Sequence, residues 1–407
     1  MSLKDDFIAG VESRSKELID LTREMIRIPS ENPPGDEGEI SEFVSEKLRS
    51  IGFNVELVEP KPKRVNTLGV LRGVNGERNF LFNGHYDTVP IGSLEFWSVE
   101  PLGGEVKEGK IYGRGAGDMK GAIASSIIAA KTLCDMGIHL KGDLLIHAVA
   151  DEETGSKYGT RHLVENGYVT SEKVDMAVVG EGSVYKDRIH ARTAVRGLQW
   201  FKLVSKGKAV HSSRPQEGSN AVLKMCKILL ALNKLKLSFT PHHLLPDPTI
   251  APGTLIKGGT KENIIPELCE AVCDIRIVPG MTSKSILEDV RAAIDTLKEA
   301  DPEIDAEVSS LLYWPPSEIS TSEEVFGIAK NAVKKAVSYE LTPRGTSGSN
   351  DTAWFTNVAQ IAALAFGPGD NYMSGSHGPD EWVSIERLVD FAKIYGLMAM
   401  EACGVEE

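Results

Sequence analysis

The stretch Ile111–Gly121, IYGRGAGDMKG, sets one carboxylate, Asp118, behind glycines at every second position and ahead of an alanine-rich helical run. Glycine lets backbone pass close to another group and take dihedrals that other residues avoid. A carboxylate can turn each of its two oxygens to a different cation, so Asp118 reads as a bridge between two metal ions. The glycines also suggest a phosphate-cradling GxGxxG turn, but its final position would be Asp118, whose charge repels phosphate. Taken alone, Asp118 reads equally well as a helix N-cap, a reading that weakens once its companions are counted.

Those companions follow four short apolar runs. Residues 80–82 lead into His85 and Asp87, residues 144–150 into Glu152 and Glu153, residues 176–179 into Glu181, and residues 361–366 into a loop that ends at His377. In His85-x-Asp87 the imidazole is a candidate ligand and the carboxylate its orienter, since a metal-bound histidine usually gives its other N–H to an acceptor. Alone, the pair is a weak signal, more often a surface turn than a ligand and its orienter. Adjacent Glu152 and Glu153 need a positive charge nearby; one can bind metal while the other serves as general base toward a water. A solvated acidic turn is the plain alternative. Together, two histidines and three carboxylates around two ions give mixed N/O ligation, which suits Zn2+ best, with Co2+ or Mn2+ also compatible.

The elements that must position these groups are those of an α/β protein. Continuous apolar runs separated by helices read as buried strands of one sheet, and in such sheets ligands bind beyond the carboxyl ends of strands. Helices are expected over 5–27, 39–50, 322–337 and 384–402, and a strand over 54–58. Between 184 and 313 the texture changes. Strands at 193–207, 249–258, 267–278 and 305–312 with helices at 219–237 and 282–300 make a βαββαβ, ferredoxin-like order. The expected organisation is therefore a mixed-sheet catalytic domain, 1–183 and 314–407, interrupted by an inserted α+β domain, 184–313. His147, within an apolar run, reads as core. His139, His162, His190, His242 and His243 have no partner spacing that marks them; His211, in GKAVHSSRP near Arg214 within the inserted domain, differs from them, though pattern alone makes it the weaker catalytic candidate.

Length and composition agree with two domains. A chain of 407 residues exceeds the size at which single cores stop growing. The formal net charge of −13 argues against nucleic acid or an anionic membrane surface as partner. Five cysteines, none in CxxC spacing, suit a reducing compartment. With no apolar stretch of membrane-spanning length and an acidic start unlike a signal peptide, the expected location is the cytoplasm.

The motifs GHYDTVP (84–90), YGRGAGDMKG (112–121), ADEETGS (150–156), VVGEGS (178–183), GKAVHSSRP (207–215), ENIIP (262–266), DIR (274–276) and SGSHGPDE (374–381) run through nearly the whole chain. In kind and order they resemble the dizinc amidohydrolases that include succinyl-diaminopimelate desuccinylase, acetylornithine deacetylase, aminoacylase and bacterial glutamate carboxypeptidase. The resemblance implies one zinc on His85 and Glu181, another on Glu153 and His377, and Asp118 bridging. It implies Glu152 as general base and proton shuttle and Asp87 as partner of His85. His211 would bind the substrate carbonyl oxygen, often from the partner subunit of a homodimer made by the inserted dimerisation or lid domains. Asn263 and Arg276 would contact the substrate, Arg276 through its carboxylate. A cis peptide is implied at Asp118–Met119. The implied substrate is a small N-acyl amino acid, with dipeptide or carboxypeptide cleavage as the second enzymatic reading and a non-catalytic metal-dependent binder as the third. The flanks of Asp351, in TSGSNDT, depart from the SGGTSDGR-like loop of succinyl-diaminopimelate desuccinylases, which leaves the acyl group open.

Overall fold

The computed structural model describes residues 2–76, 78–370 and 372–406. The chain forms two compact units, one of Met1–Thr193, Ile319–Arg344 and Asn350–Glu407, the other of Ala194–Glu318 with Gly345–Ser349.

In the first unit the main sheet has the order Asn54–Lys61, Arg64–Leu71, Leu144–Val149, Phe80–His85, Met176–Gly182, Ala362–Gly367, Ala191–Val195. The middle four run parallel, while Arg64–Leu71 and Ala191–Val195 pair with them antiparallel. The Phe80, Leu144 and Met176 strands are buried along their whole length. With both faces covered, the sequence reads as unbroken apolar runs rather than alternation. The helix Gly121–Asp135 is itself buried at nearly every position and packs on Ile385–Cys403, which also meets Glu324–Val337.

One helix was expected over 5–27, and the structure splits it into Leu3–Ser13 and Ser15–Arg27 with Arg14 between them. Ser13 and Ser15 donate hydroxyl bonds to the carbonyls of Gly10 and Glu12, at 2.8 and 2.6 Å. Such local bonds compete with the helical ladder and favour a break.

The second unit is a four-stranded antiparallel sheet, ordered Thr249–Gly258, Leu268–Ile277, Gly197–Lys206, Ala306–Trp314. With helices Ala221–Leu232 and Ser283–Ala300 it has the expected βαββαβ order. Burial alternates strictly along Leu268–Ile277, the mark of a sheet with one covered face. Asn220 caps the first of these helices through the N–H groups of Val222 and Leu223, and Thr282 with Ser285 forms a capping box on the second. This unit begins later than the expected 184. Val184–Tyr185 pairs with Arg188–Ile189 and Arg192 lies in register with Ala365, which keeps residues up to 193 with the larger sheet. It ends at Glu318 because Ser317 and Glu318 pair with Val195 and Ala194. Among the described residues no helix is long and apolar enough to cross a membrane.

Candidate metal centre

Four parallel strands deliver their chemistry at the same edge. His85 is the last residue of its strand, Glu181 the penultimate residue of its own, and Glu152 and Glu153 follow Val149 closely. His377 lies in the loop beyond Ala362–Gly367 and, like Asp151, takes a positive φ, 66° and 67° respectively. Non-glycine residues held there are strained and concentrate at functional sites.

Asp118 reaches this edge on a tight turn, 116–120, preceded by Gly115 at φ 83°. Its peptide to Met119 is cis. Two contacts seat the turn. The Glu381 carboxylate accepts from the N–H groups of Gly117 and Asp118 at 3.0 and 3.1 Å, and Arg114 donates to its other oxygen at 2.6 Å. Burial outweighs Arg114 and pushes the Glu381 carboxyl up to about 7. Met119 then fills the space left by two glycines on adjacent strands: a Cβ would lie 2.9 Å from its Cε at Gly84 and 2.6 Å at Gly180. Each of these glycines immediately precedes a predicted ligand, His85 or Glu181.

The side chains converge. Asp118 Oδ1 lies 3.2 Å from His85 Nε2, and Asp118 Oδ2 lies 3.3 Å from His377 Nε2. The same two nitrogens lie 3.6 Å from Glu181 Oε1 and 3.3 Å from Glu153 Oε2. Ligand atoms of His85, Asp118 and Glu153 fall within 4.8 Å of one another, as do those of His85, Glu152 and Glu181. All are buried or nearly so except His377, whose side chain is 55% exposed and marks the open side.

Asp87 is fully buried beneath them. His85 Nδ1 donates to the Asp87 main-chain carbonyl at 2.9 Å, which turns Nε2 toward the cluster. The Asp87 carboxylate is farther from that nitrogen, 3.5 Å. It accepts instead from the N–H groups of Glu152 and Glu153, both at 3.1 Å, and from Asn32 Nδ2 at 2.8 Å. Asn32 in turn accepts from Arg64 at 2.7 Å, and Arg64 pairs with Glu37 at 2.5 Å and Asp151 at 3.3 Å. Sequence reasoning missed Asn32, Arg64 and Glu381. The first two lie in a loop and a polar strand start with no motif around them; only Glu381 stands within a quoted motif, SGSHGPDE.

The electrostatics describe a cavity that seeks positive charge. Burial alone would lower the His85 imidazole, yet Asp118, Asp87 and Glu181 together raise it well above its ordinary value. Asp118 and Glu153 push His377 up to about 11. Burial raises the Glu152, Glu153 and Glu181 carboxyls, while the two histidines overcome burial at Asp118 and hold it low. Two imidazoles and several carboxylates, which become donors to a cation once their protons leave, with no lysine or arginine ion-paired to them among the described residues, are a fitting set for divalent metal ions.

The remaining expected residues belong to the second unit. His211 is exposed and its Nδ1 meets Ser213 Oγ at 2.8 Å. Asn263 lies beside it in the fold, its carbonyl accepting from Ser212 N–H at 3.0 Å. Arg276 is engaged by Asp274 through Nε and Nη2, at 3.1 and 3.0 Å. A further grouping in that unit, His242, His243 and Glu318, has ligand atoms within 4.8 Å and was not singled out from sequence.

Peptidase family M20/M25/M40 matches residues 81–401. The chain is 27% identical to N-formyl-4-amino-5-aminomethyl-2-methylpyrimidine deformylase of Halalkalibacterium halodurans, over 99% of this chain and 98% of that one. It is 31% identical to succinyl-diaminopimelate desuccinylase of Parvibaculum lavamentivorans, over 93% of each. The di-peptidase Dug1p from Saccharomyces cerevisiae superposes with a TM-score of 0.80 at 17% identity, covering 100% of both chains, a likeness of fold. With the family matched over most of its length, the chain belongs to peptidase family M20/M25/M40 and is a metal-dependent amidohydrolase.

Proposed function

We propose that this enzyme hydrolyses the amide bond of small N-acyl amino acids with two Zn2+ ions per subunit, Co2+ or Mn2+ being able to substitute. The observation that carries the reading is that the two oxygens of Asp118 face two different imidazoles. His85 and Glu181 would hold one ion, His377 and Glu153 the other, and Asp118 would give one oxygen to each. Bound there, such ions polarise the amide carbonyl and lower the pKa of water to about 7.

The chain supplies the rest. Glu152 takes the proton of the attacking water and delivers it to the leaving amine nitrogen; burial favours its protonated form, which suits a group that must hold a proton between the two steps. Asp87 fixes the peptide N–H groups on which Glu152 and Glu153 are mounted. His211 donates to the oxyanion, with Asn263 and Arg276 contacting the remainder of the substrate. We place His211 across a homodimer. Leu223, Leu230, Leu255 and Ile256, exposed on the second unit, support such an interface. The second unit would then be the dimerisation or lid domain and the first the metal-binding catalytic domain. Five free cysteines support a cytoplasmic location.

Relatives named as a deformylase and a desuccinylase favour removal of an acyl group. The likeness of fold to Dug1p, named a di-peptidase, keeps dipeptide or carboxypeptide cleavage as the second reading. A non-catalytic binder would have no need of Glu152 buried beside the ligand set. Amine release from N-formyl, N-acetyl, N-succinyl and aminoacyl amides, with and without chelator, separates these readings. In that assay Glu152→Gln should retain two equivalents of metal and lose nearly all turnover. Turnover near wild type in that variant would remove Glu152 from the role of base.

A further inference from the structure

We propose that Arg192 and Arg344 form an anion subsite beside the metal centre, one that takes the carboxylate of an N-acyl amino acid and sets preference for it over neutral amides. The proposal rests on the amide-hydrolysis reading and names the feature of the substrate that this site selects.

The chain path brings these residues to the centre. Past Glu181, Val184–Tyr185 folds back on Arg188–Ile189, and Ala191–Val195 returns along Ala362–Gly367 with Arg192 opposite Ala365. Arg344 stands on Pro343–Thr346, which pairs with that returning strand. Tyr372, five residues before His377, closes the group.

Arg192 is the exception among the buried arginines of this unit. Arg64 pairs with Glu37 and Arg114 with Glu381. Arg192 is only 2% exposed, yet its Nε has no hydrogen-bond partner, and its one described contact is the Tyr372 ring, 6.0 Å away. A buried cation without a counter-ion is costly and persists where an anion completes it. Arg344 lies over the Tyr185 ring at 3.8 Å, and Tyr185 meets Tyr372 edge-on at 5.2 Å. Two aromatic rings thus wall two guanidiniums.

The nearby carboxylates have other partners. Glu181 faces His85, and Asp370 accepts the N–H groups of Tyr372 and Met373 on Oδ1, at 3.1 and 3.2 Å; both act on Arg192 at a distance, and neither forms an ion pair with it. Burial, with added repulsion from Arg344, lowers the Arg192 guanidinium despite those carboxylates. Two divalent ions at the centre would claim the charge of Glu181 and leave Arg192 with still less compensation. The planar guanidinium fork matches a carboxylate, which it can bind through two parallel N–H bonds. Arg276, the arginine to which the motif resemblance gives the substrate carboxylate, already has Asp274 as partner.

The test compares an N-acetyl amino acid with its carboxamide, using metal-loaded enzyme, Arg344→Gln and the milder Arg192→Lys. Each variant should lose roughly 10- to 100-fold in kcat/KM for the carboxylate, mainly through KM, as loss of a charged hydrogen bond implies. The carboxamide should change less than twofold. Calorimetric titration with succinate, which is not cleaved, should show the same loss of affinity. Equal losses for both substrates would assign the arginines a structural role and overturn the proposal. So would an unchanged carboxylate preference together with unchanged succinate affinity. If wild-type enzyme cleaves neither compound, the amide-hydrolysis reading fails, and the succinate titration still decides the subsite.

Discussion

Asp87→Asn tests whether the centre depends on the layer beneath it. The carboxylate accepts on both oxygens: Oδ1 from Glu152 N–H, Oδ2 from Glu153 N–H and Asn32 Nδ2. An amide has one acceptor oxygen and one donor NH2. With its oxygen in the Oδ2 position it keeps two of the three bonds and turns NH2 against Glu152 N–H; flipped, it keeps only one. The better orientation therefore strands one buried donor, a cost of about 1–3 kcal/mol. For a chain of 407 residues that is a fall in Tm of roughly 1–4 °C. The functional loss should be larger, because Glu152 and Glu153 are carried on the disturbed peptides. Changes to groups that orient metal ligands typically cost about 10- to 100-fold in metal affinity or activity. Competition against a chromogenic chelator gives metal affinity, and kcat at saturating metal gives the catalytic share. Metal affinity and kcat both within twofold of wild type would refute the reasoning, since the hydrogen bonds would then be incidental.

Two further outcomes follow from the packing. Gly180→Ala puts a Cβ 2.6 Å from Met119 Cε and 2.8 Å from both Ala122 Cβ and Phe82 Cζ. Overpacking of this kind costs roughly 1–3 kcal/mol and should lower metal stoichiometry by moving the Asp118 turn; Met119→Ala in the same chain should restore it, and a failure to restore it would disprove the wedge. His147, buried with its Nδ1 unpaired, is lowered by desolvation from 6.5 to about 3. Its folded pKa lies below the unfolded one, so the unfolded chain takes up the proton first and stability falls as pH drops from about 6.5 toward 3. Denaturant unfolding of His147→Leu across that window should show a shallower acid loss than wild type, and parallel profiles would rule the histidine out as a source of acid sensitivity.

The framework was legible because strong periodicity survives in single sequences. Fully buried parallel strands leave unbroken apolar runs, and the residues just beyond them stood out by their charge. The ferredoxin-like order showed for the opposite reason, with alternation and clear helix caps such as Asn220 and Thr282. What stayed hidden depends on long-range contact. Arg64–Leu71 begins with polar residues because Arg64 and Asn66 turn inward to partners in distant segments, Glu37 and the Tyr158 carbonyl among them. The break at Arg14 rests on two serine hydroxyls that helix periodicity does not register. Arg192 looks like any surface arginine until the sheet buries it. That Asp118 turns one oxygen to each histidine is a matter of side-chain geometry, which spacing suggests and only coordinates can display.

The sheet order carries a consequence for biosynthesis. Met176–Gly182 has Ala362–Gly367 as its neighbour, yet Ala362 is made 180 residues after Gly182 (362 − 182). At ordinary elongation rates that interval is roughly 10–40 s. Throughout it, a hydrophobic strand waits on the ribosome with one side open, while the ferredoxin-like segment is translated in between. His377 emerges later still, so the newborn polypeptide cannot close its ion-binding cluster before the final stretch leaves the exit tunnel, and a prematurely terminated product would lack both the sheet's closing neighbour and one imidazole.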